Sequence, residues 1–464
     1  MKRRHYNVLS VTVVILSNLR HFSIAWNNCS DSVSICPSLA TCCPTATPKI
    51  SSCISGSDKS NLAGDCCTDD DILGSTGCGQ GYVCAYDAEH NYPHCKLVTP
   101  VGPEHPPIVP RYRLCQLPSR ALTEVYGLPI YPNSVTEPQI SYYSTLGAID
   151  AGDAITLTQH AQVETIVIVI HGSARNADDY LCCTNSALPE KDQGANINST
   201  IMVIAPWLRT PLDPPVNLIS HVENAVPLVW AEDGPIDHTW RYGADALNAN
   251  FSAYAVMDTV LDRLNRDRVR FPRLRQVVVA GHSAGGQYTQ RWALLSNSPA
   301  LDQHRADTRL HVRTVVANPR SFCFLDNRRF IDGTFQIPTE DLTRKCKDYD
   351  SWEWGLGNDT VTLVAPYKDE SIMLAGGVEA VVQRYATRDV VYLAGELDLD
   401  TSANCRAKLQ GSTRRERSQM FMASLKEIYG TPVHHRLVVH GVYHNHCLMF
   451  QSPEGKQSLF GLRP

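Results

Sequence analysis

The chain has 464 residues and a formal net charge of -5, with 42 Lys and Arg against 47 Asp and Glu. A balance of this kind lacks the basic excess that tracks a phosphate backbone, so nucleic acid is not expected as a partner. Hydrophobic residues at 43% and charged residues at 19% are ordinary for a globular chain, and the length is enough for a large core with an appended module.

Residues 1–25 have the layout of a secretory signal peptide. Met1-Lys2-Arg3-Arg4 is followed by the apolar run Val8 to Leu16 and the small-x-small site Ser23-Ile24-Ala25. That run is far shorter than the roughly 20 residues a bilayer-spanning helix needs. A soluble, exported, extracellular protein starting near Trp26 is therefore expected. The 17 cysteines fit an oxidising compartment. Four Asn-x-Ser/Thr sites, at Asn28, Asn198, Asn250 and Asn358, are candidate N-glycosylation acceptors.

Residues 26–96 hold ten of the cysteines, Cys29 to Cys95, among many Ser, Gly, Asp and Thr and few aliphatic residues. No hydrophobic core can hold such a segment, so it reads as a disulfide-rich module. The run Cys36-Pro37-Ser38-Leu39-Ala40-Thr41-Cys42-Cys43 resembles a granulin repeat. Recognition of a surface or a carbohydrate is the role such a module suggests. Metal binding by its Cys and His residues would call for repeated Cys-x-x-Cys spacing, which the segment lacks. Prolines 100, 103, 106, 107 and 110 then mark an extended linker over 97–112, leaving 113–464 as a second domain.

Within that domain short β-rich runs alternate with helical patterns, which predicts an α/β fold around a largely parallel sheet. Strands are expected at Thr165 to Ile170, Ile201 to Ala205, Gln276 to Ala280, Val312 to Ala317, Val390 to Ala394 and Arg436 to Val439. Most are near-continuous Val and Ile runs, the mark of strands covered on both faces. Helices are expected over Ser252 to Asn265, Gly286 to Ser296 and Arg415 to Tyr429.

The run Val277-Val278-Val279-Ala280-Gly281-His282-Ser283-Ala284-Gly285-Gly286 places a G-x-S-x-G motif between a strand and a helix. In that context the serine sits on a sharp turn with its hydroxyl above the sheet, and the helix N-terminus favours negative charge nearby. A serine hydroxyl needs a base, and the base needs an oriented acid. Carboxylates follow the strand Val390 to Ala394, at Glu396, Asp398 and Asp400, with Asp398 preferred. Histidines follow the last strand, at His440, His444 and His446, with His444 preferred because Gly441 permits a tight turn back toward the serine. An oxyanion hole needs two backbone N–H donors. Ala284 supplies one; Ser173, after the strand ending in His171-Gly172, is the candidate for the other.

These segments resemble the α/β-hydrolase family, and within it a group carrying HGxxRNADxY beside GHSAGGQ. Here they are His171-Gly172-Ser173-Ala174-Arg175-Asn176-Ala177-Asp178-Asp179-Tyr180 and Gly281 to Gln287. The resemblance covers roughly residues 113 to 455 and includes Trp240-Arg241-Tyr242-Gly243, Gly395-Glu396-Leu397-Asp398 and Gly441-Val442-Tyr443-His444. It implies an α/β-hydrolase fold and a triad of Ser283, Asp398 and His444. It departs at Arg320-Ser321-Phe322, where relatives have two small residues and a tyrosine.

The expected function is a secreted serine hydrolase that cleaves carboxylic esters through an acyl-enzyme, without cofactor or metal. A silent binding or adhesion protein on the same scaffold, and a serine acyltransferase, are the alternatives. Pocket walls are expected from 206 to 245 and 322 to 365. Disulfides are expected between Cys405 and Cys447, which lie just beyond the acid and histidine loops, and between Cys323 and Cys346. Cys115, Cys182 and Cys183 then remain for a free thiol or a bridge to the module.

Overall fold

The computed structural model describes residues 117–461 except 118, 132–137, 194–195, 197, 223, 232–238, 303–309 and 358–365, together with the backbone of six strands between 26 and 97. The signal peptide, the side chains of the cysteine-rich segment, the proline-rich linker and Asn358 lie outside the described residues. By compactness the chain divides into one unit of Met1–Thr68 with Thr76–Val101 and another of Asp69–Ser75 with Gly102–Pro464. Among the described residues of the first unit, Trp26–Asn28 pairs antiparallel with Ile35–Pro37, Ala40–Pro44 with Ser51–Ser55, and Tyr82–Asp87 with Tyr92–Leu97.

The second unit is built on one sheet. Its main strands are β1 (Tyr126–Pro129), β2 (Pro138–Ser144), β3 (Thr165–Ile170), β4 (Ile201–Pro206), β5 (Gln276–His282), β6 (His311–Ala317), β7 (Asp389–Gly395) and β8 (His435–Val439). Their spatial order is β1-β2-β4-β3-β5-β6-β7-β8, with the short strand Val226–Pro227 also pairing β2. β2 runs antiparallel to both β1 and β4, and every later pairing is parallel. Six of these strands fall where the apolar runs predict them. β1 and β2 do not announce themselves: Gly127, Pro129 and Pro138 interrupt the β pattern.

Alternation of side chains along each strand divides the core in two. Ile166, Ile168 and Ile170 of β3 join Val277 and Val279 of β5 on one face, where helices Ala253–Arg266 and Ala284–Leu295 pack. Val167 and Val169 join Val278 and Ala280 on the other, against helices Ala177–Ala187 and Pro453–Phe460. Burying one such Val or Ile side chain is worth about 1.5–3 kcal/mol, so the central strands are held by covering both faces. Helix Ala253–Arg266 follows the expected period: Tyr254, Val256, Met257, Val260, Leu261 and Leu264 are buried, and Ser252 caps its start by accepting from the Tyr254 N–H. The sequence does not announce helix Ala177–Ala187, because its polar runs Asp178-Asp179 and Thr184-Asn185-Ser186 hide the apolar face. No helix among the described residues is long and apolar enough to cross a membrane.

Candidate functional site

The parallel strands deliver their following loops to one edge of the sheet, and the candidate residues come from four of those loops. β5 ends in Gly281-His282, and Ser283 turns the chain into helix Ala284–Leu295 with φ 58° and ψ -119°. A non-glycine residue takes such a conformation only where its surroundings enforce it. Here the enforcement is close packing. A Cβ on Gly281 would stand 2.1 Å from the Gly285 carbonyl oxygen, and one on Gly285 would stand 2.3 Å from the Ile170 oxygen of β3. The Ser283 N–H donates to Ala317 O of β6 at 3.0 Å.

β3 runs into His171-Gly172-Ser173, and this loop lies beside the serine: a Cβ on Gly172 would meet Ser283 Cβ at 3.6 Å. His171 is fully buried, and burial pushes its pKa down to about 4, so the ring is neutral. The Leu208 N–H donates to Nε2 at 3.0 Å. Nδ1 therefore carries the proton and donates to Gly172 O at 2.8 Å. Gly172 O also accepts from the Arg175 N–H at 3.1 Å. In a trans peptide C=O and N–H point opposite ways, so two donors on Gly172 O fix the direction of the Ser173 N–H. Arg175, at φ 55°, is pinned through Nε to Asp213 at 3.0 Å and through Nη1 to Ser173 O at 3.1 Å.

At the end of β7, the Gly395 N–H donates to Asn318 Oδ1 at 2.8 Å. The acid and histidine loops are tied by the Leu397 N–H to Val442 O at 2.9 Å and the Gly441 N–H to Glu396 Oε2 at 3.0 Å. Asp398 and His444 are both buried, with His444 Nδ1 2.8 Å from Asp398 Oδ2. The His444 ring lies 4.5 Å from the ring of His282, the residue before Ser283.

The rival residues are engaged elsewhere. Asp400 faces the buried Arg414 at 3.5 Å, and Arg414 Nε lies 3.6 Å from the other Asp398 oxygen. Glu396 pairs with the exposed His440 at 3.4 Å. His446 lies 3.2 Å from Asp179 Oδ2 and stacks on Tyr180. Arg414, Tyr180 and Asp213 were not singled out from sequence as site residues; only Tyr180 lay in a motif, and without a role.

Both expected disulfides are corrected. Cys447 joins Cys183, with Cα atoms 5.0 Å apart, and Cys405 joins Cys346 at 5.6 Å. The two loops do converge, but each cysteine lies beyond its loop on an element facing away. Cys447 is on helix His446–Gln451, whose Gln451 side chain reaches Cys183 O, and Cys405 precedes Arg406, which donates to Lys347 O. Cys323 is a buried free thiol with its pKa pushed up to about 12 by burial, and Cys182 is disulfide-bonded.

Two groups of described residues have metal-type donors close together. In Asp179, Cys183, His446 and Cys447 the two sulfurs are bonded to each other. In Asp398, Asp400 and His444 the Arg414 guanidinium stands between the carboxylates. Neither set suits a cation.

No protein-family model matches the chain, and no curated protein does. Among solved structures it is similar to LpqC, a poly(3-hydroxybutyrate) depolymerase from Bordetella parapertussis, at 18% identity and TM-score 0.42, over 74% of this chain and 94% of that one. It is also similar to poly(aspartic acid) hydrolase-1 from Sphingomonas sp. KT-1, at 17% identity and TM-score 0.42, over 73% and 99%. Carboxylesterase CesB from Bacillus subtilis is matched at 13% identity and TM-score 0.30, over 76% and 95%. The strand order with its antiparallel β2, and the serine turn between β5 and its helix, make the second unit an α/β-hydrolase fold.

Proposed function

We propose that the chain is a serine hydrolase that cleaves carboxylic esters through an acyl-enzyme. The observation that carries this reading is the buried 2.8 Å contact between His444 and Asp398 beside the strained turn at Ser283. With Nδ1 committed to Asp398, His444 keeps Nε2 for the serine proton. Ser283 Oγ attacks the ester carbonyl, His444 takes the proton and returns it to the departing alcohol, and water then releases the acid by the same steps in reverse. Asp398 orients the ring and stabilises its charged form. The Ser173 and Ala284 N–H groups are proposed to hold the tetrahedral oxygen, the first aimed by the double hydrogen bond on Gly172 O.

Export is proposed from the first 25 residues, and glycosylation at Asn198 and Asn250, whose side chains are exposed. Asn28 lies on a strand described by its backbone alone. A disulfide-rich recognition module over 26–96 belongs to the same proposal.

Hydrolysis of p-nitrophenyl esters of increasing acyl length by wild type and by Ser283→Ala tests the reading. Wild type should turn over the shorter esters, and the variant should lose about a millionfold in kcat. Equal activity in both proteins would sink the assignment.

A further inference from the structure

Three of the converging loops meet at Tyr180. Its hydroxyl lies 3.2 Å from Nδ1 of His282, the residue immediately before Ser283. Its ring lies flat on His446, two residues after His444, with centroids 3.9 Å apart and planes 6° apart. Its oxygen is also the atom nearest to where a Cβ on Gly172 would stand, at 2.9 Å, so the hydroxyl abuts the loop that carries Ser173.

Two further ties join the helix bearing Tyr180 to the helix after His444. Asp179 Oδ2 lies 3.2 Å from His446 Nε2, and Cys183 is bonded to Cys447. From the other side of the Tyr180 hydroxyl the chain of contacts continues through His282 to the ring of His444, 4.5 Å away and tilted by 39°. His282 is buried, and burial above all, with lesser contributions from His444, His446 and Arg414, pushes its pKa well below the usual histidine range. It therefore meets His444 as a neutral ring, which does not oppose the imidazolium that forms when His444 takes a proton.

We propose that Tyr180 is a positioning residue for the reaction at Ser283: its hydroxyl on His282 and its ring on His446 hold the serine turn and the histidine loop in register with the loop of Ser173. The proposal rests on the serine-hydrolase reading above. It assigns separate tasks to the two parts of the side chain. Stacking on His446 needs only a ring, which phenylalanine also has, whereas contact with His282 needs the oxygen. Misplacing a catalytic group by about 1 Å can cost a hundredfold in rate, so small slips of His444 against Ser283 are enough to be read kinetically.

The test uses full-length wild type, Tyr180→Phe and Tyr180→Leu, with active sites titrated by a fluorophosphonate and turnover of p-nitrophenyl acetate measured per titrated site. Tyr180→Phe should lower kcat by about tenfold with KM changed less than about twofold, and Tyr180→Leu by about a hundredfold. The rate of fluorophosphonate inactivation should fall in parallel, since it draws on the same activation of the serine. If Tyr180→Phe keeps kcat per site within about twofold of wild type and loses only thermal stability, Tyr180 serves packing alone and the proposal is overturned. That variant decides the matter even if Tyr180→Leu does not fold. A wild type that neither takes the label nor hydrolyses the ester overturns the serine-hydrolase reading, and this proposal with it.

Discussion

Asp398 and Asp400 stand two positions apart in one acidic turn, yet only Asp398 reaches His444, while Asp400 faces Arg414. The two carboxylates should respond very differently to neutralisation. Asp398→Asn keeps the volume but offers His444 Nδ1 an amide that can present the wrong hydrogen-bond partner. Its kcat on a p-nitrophenyl ester should fall on the order of ten-thousandfold, as for a triad acid. Asp400→Asn loses one arm of a charge pair beside the site and should cost about tenfold or less. Similar losses in both variants would contradict the roles assigned to them. The candidates could be named from sequence because a glycine-bracketed serine, an acidic turn and a histidine turn each follow an apolar strand in chain order. Tyr180 and Arg414 could not be ranked in this way. Their part in the site comes from contacts across 102 residues to His282 and across a helix start to Asp398, which no local spacing encodes.

The strand-turn-helix around Ser283 tolerates no added atoms. A Cβ at Gly281 would enter the Gly285 carbonyl, and the helix start that carries Gly285 is packed close on the Ile170 carbonyl of β3. Gly281→Ala should lose about 3 kcal/mol or more of unfolding free energy in urea, whereas Gly152→Ala, with nothing within 4 Å of its added carbon, should stay within about 0.5 kcal/mol. Equal midpoints for the two variants would contradict the close packing of the turn. Strands buried on both faces were legible at this scale because their apolar runs are continuous. β1 and β2 were not, because β1 lies at the margin of the sheet, where Gly127 and Pro129 are tolerated, and Pro138 stands at the first position of β2, where its missing N–H costs no central ladder bond. Disulfide partners were illegible for a related reason. Convergence of two loops does not say which way the next element faces, so Cys405 meets Cys346 and Cys447 meets Cys183.

For the whole molecule, buried histidines make stability depend on acidity, His282 beside the serine turn among them. His160, His171 and His434 each have a pKa pushed down to about 4, in every case by burial first. Between the ordinary histidine value near 6.5 and about 4 the unfolded chain binds protons that the folded chain does not. Stability therefore rises with pH across that window and is lost as pH falls through it, by about 1.4 kcal/mol per histidine per pH unit at most. Urea midpoints from pH 7 to pH 4.5 should decline steadily, and His160→Gln should reduce the slope. A flat profile would contradict neutral burial of these rings.

The most direct test of the central claim is covalent. Native full-length protein treated with a fluorophosphonate should gain one phosphonyl group, mapped by peptide mass spectrometry to Ser283, and heat-denatured protein should gain none. The reagent reports activation of a serine rather than its mere presence, because an ordinary hydroxyl does not react. A label on Ser283 that disappears in Asp398→Asn is the result the account predicts. No label on the native protein, or a label on another serine, would contradict it.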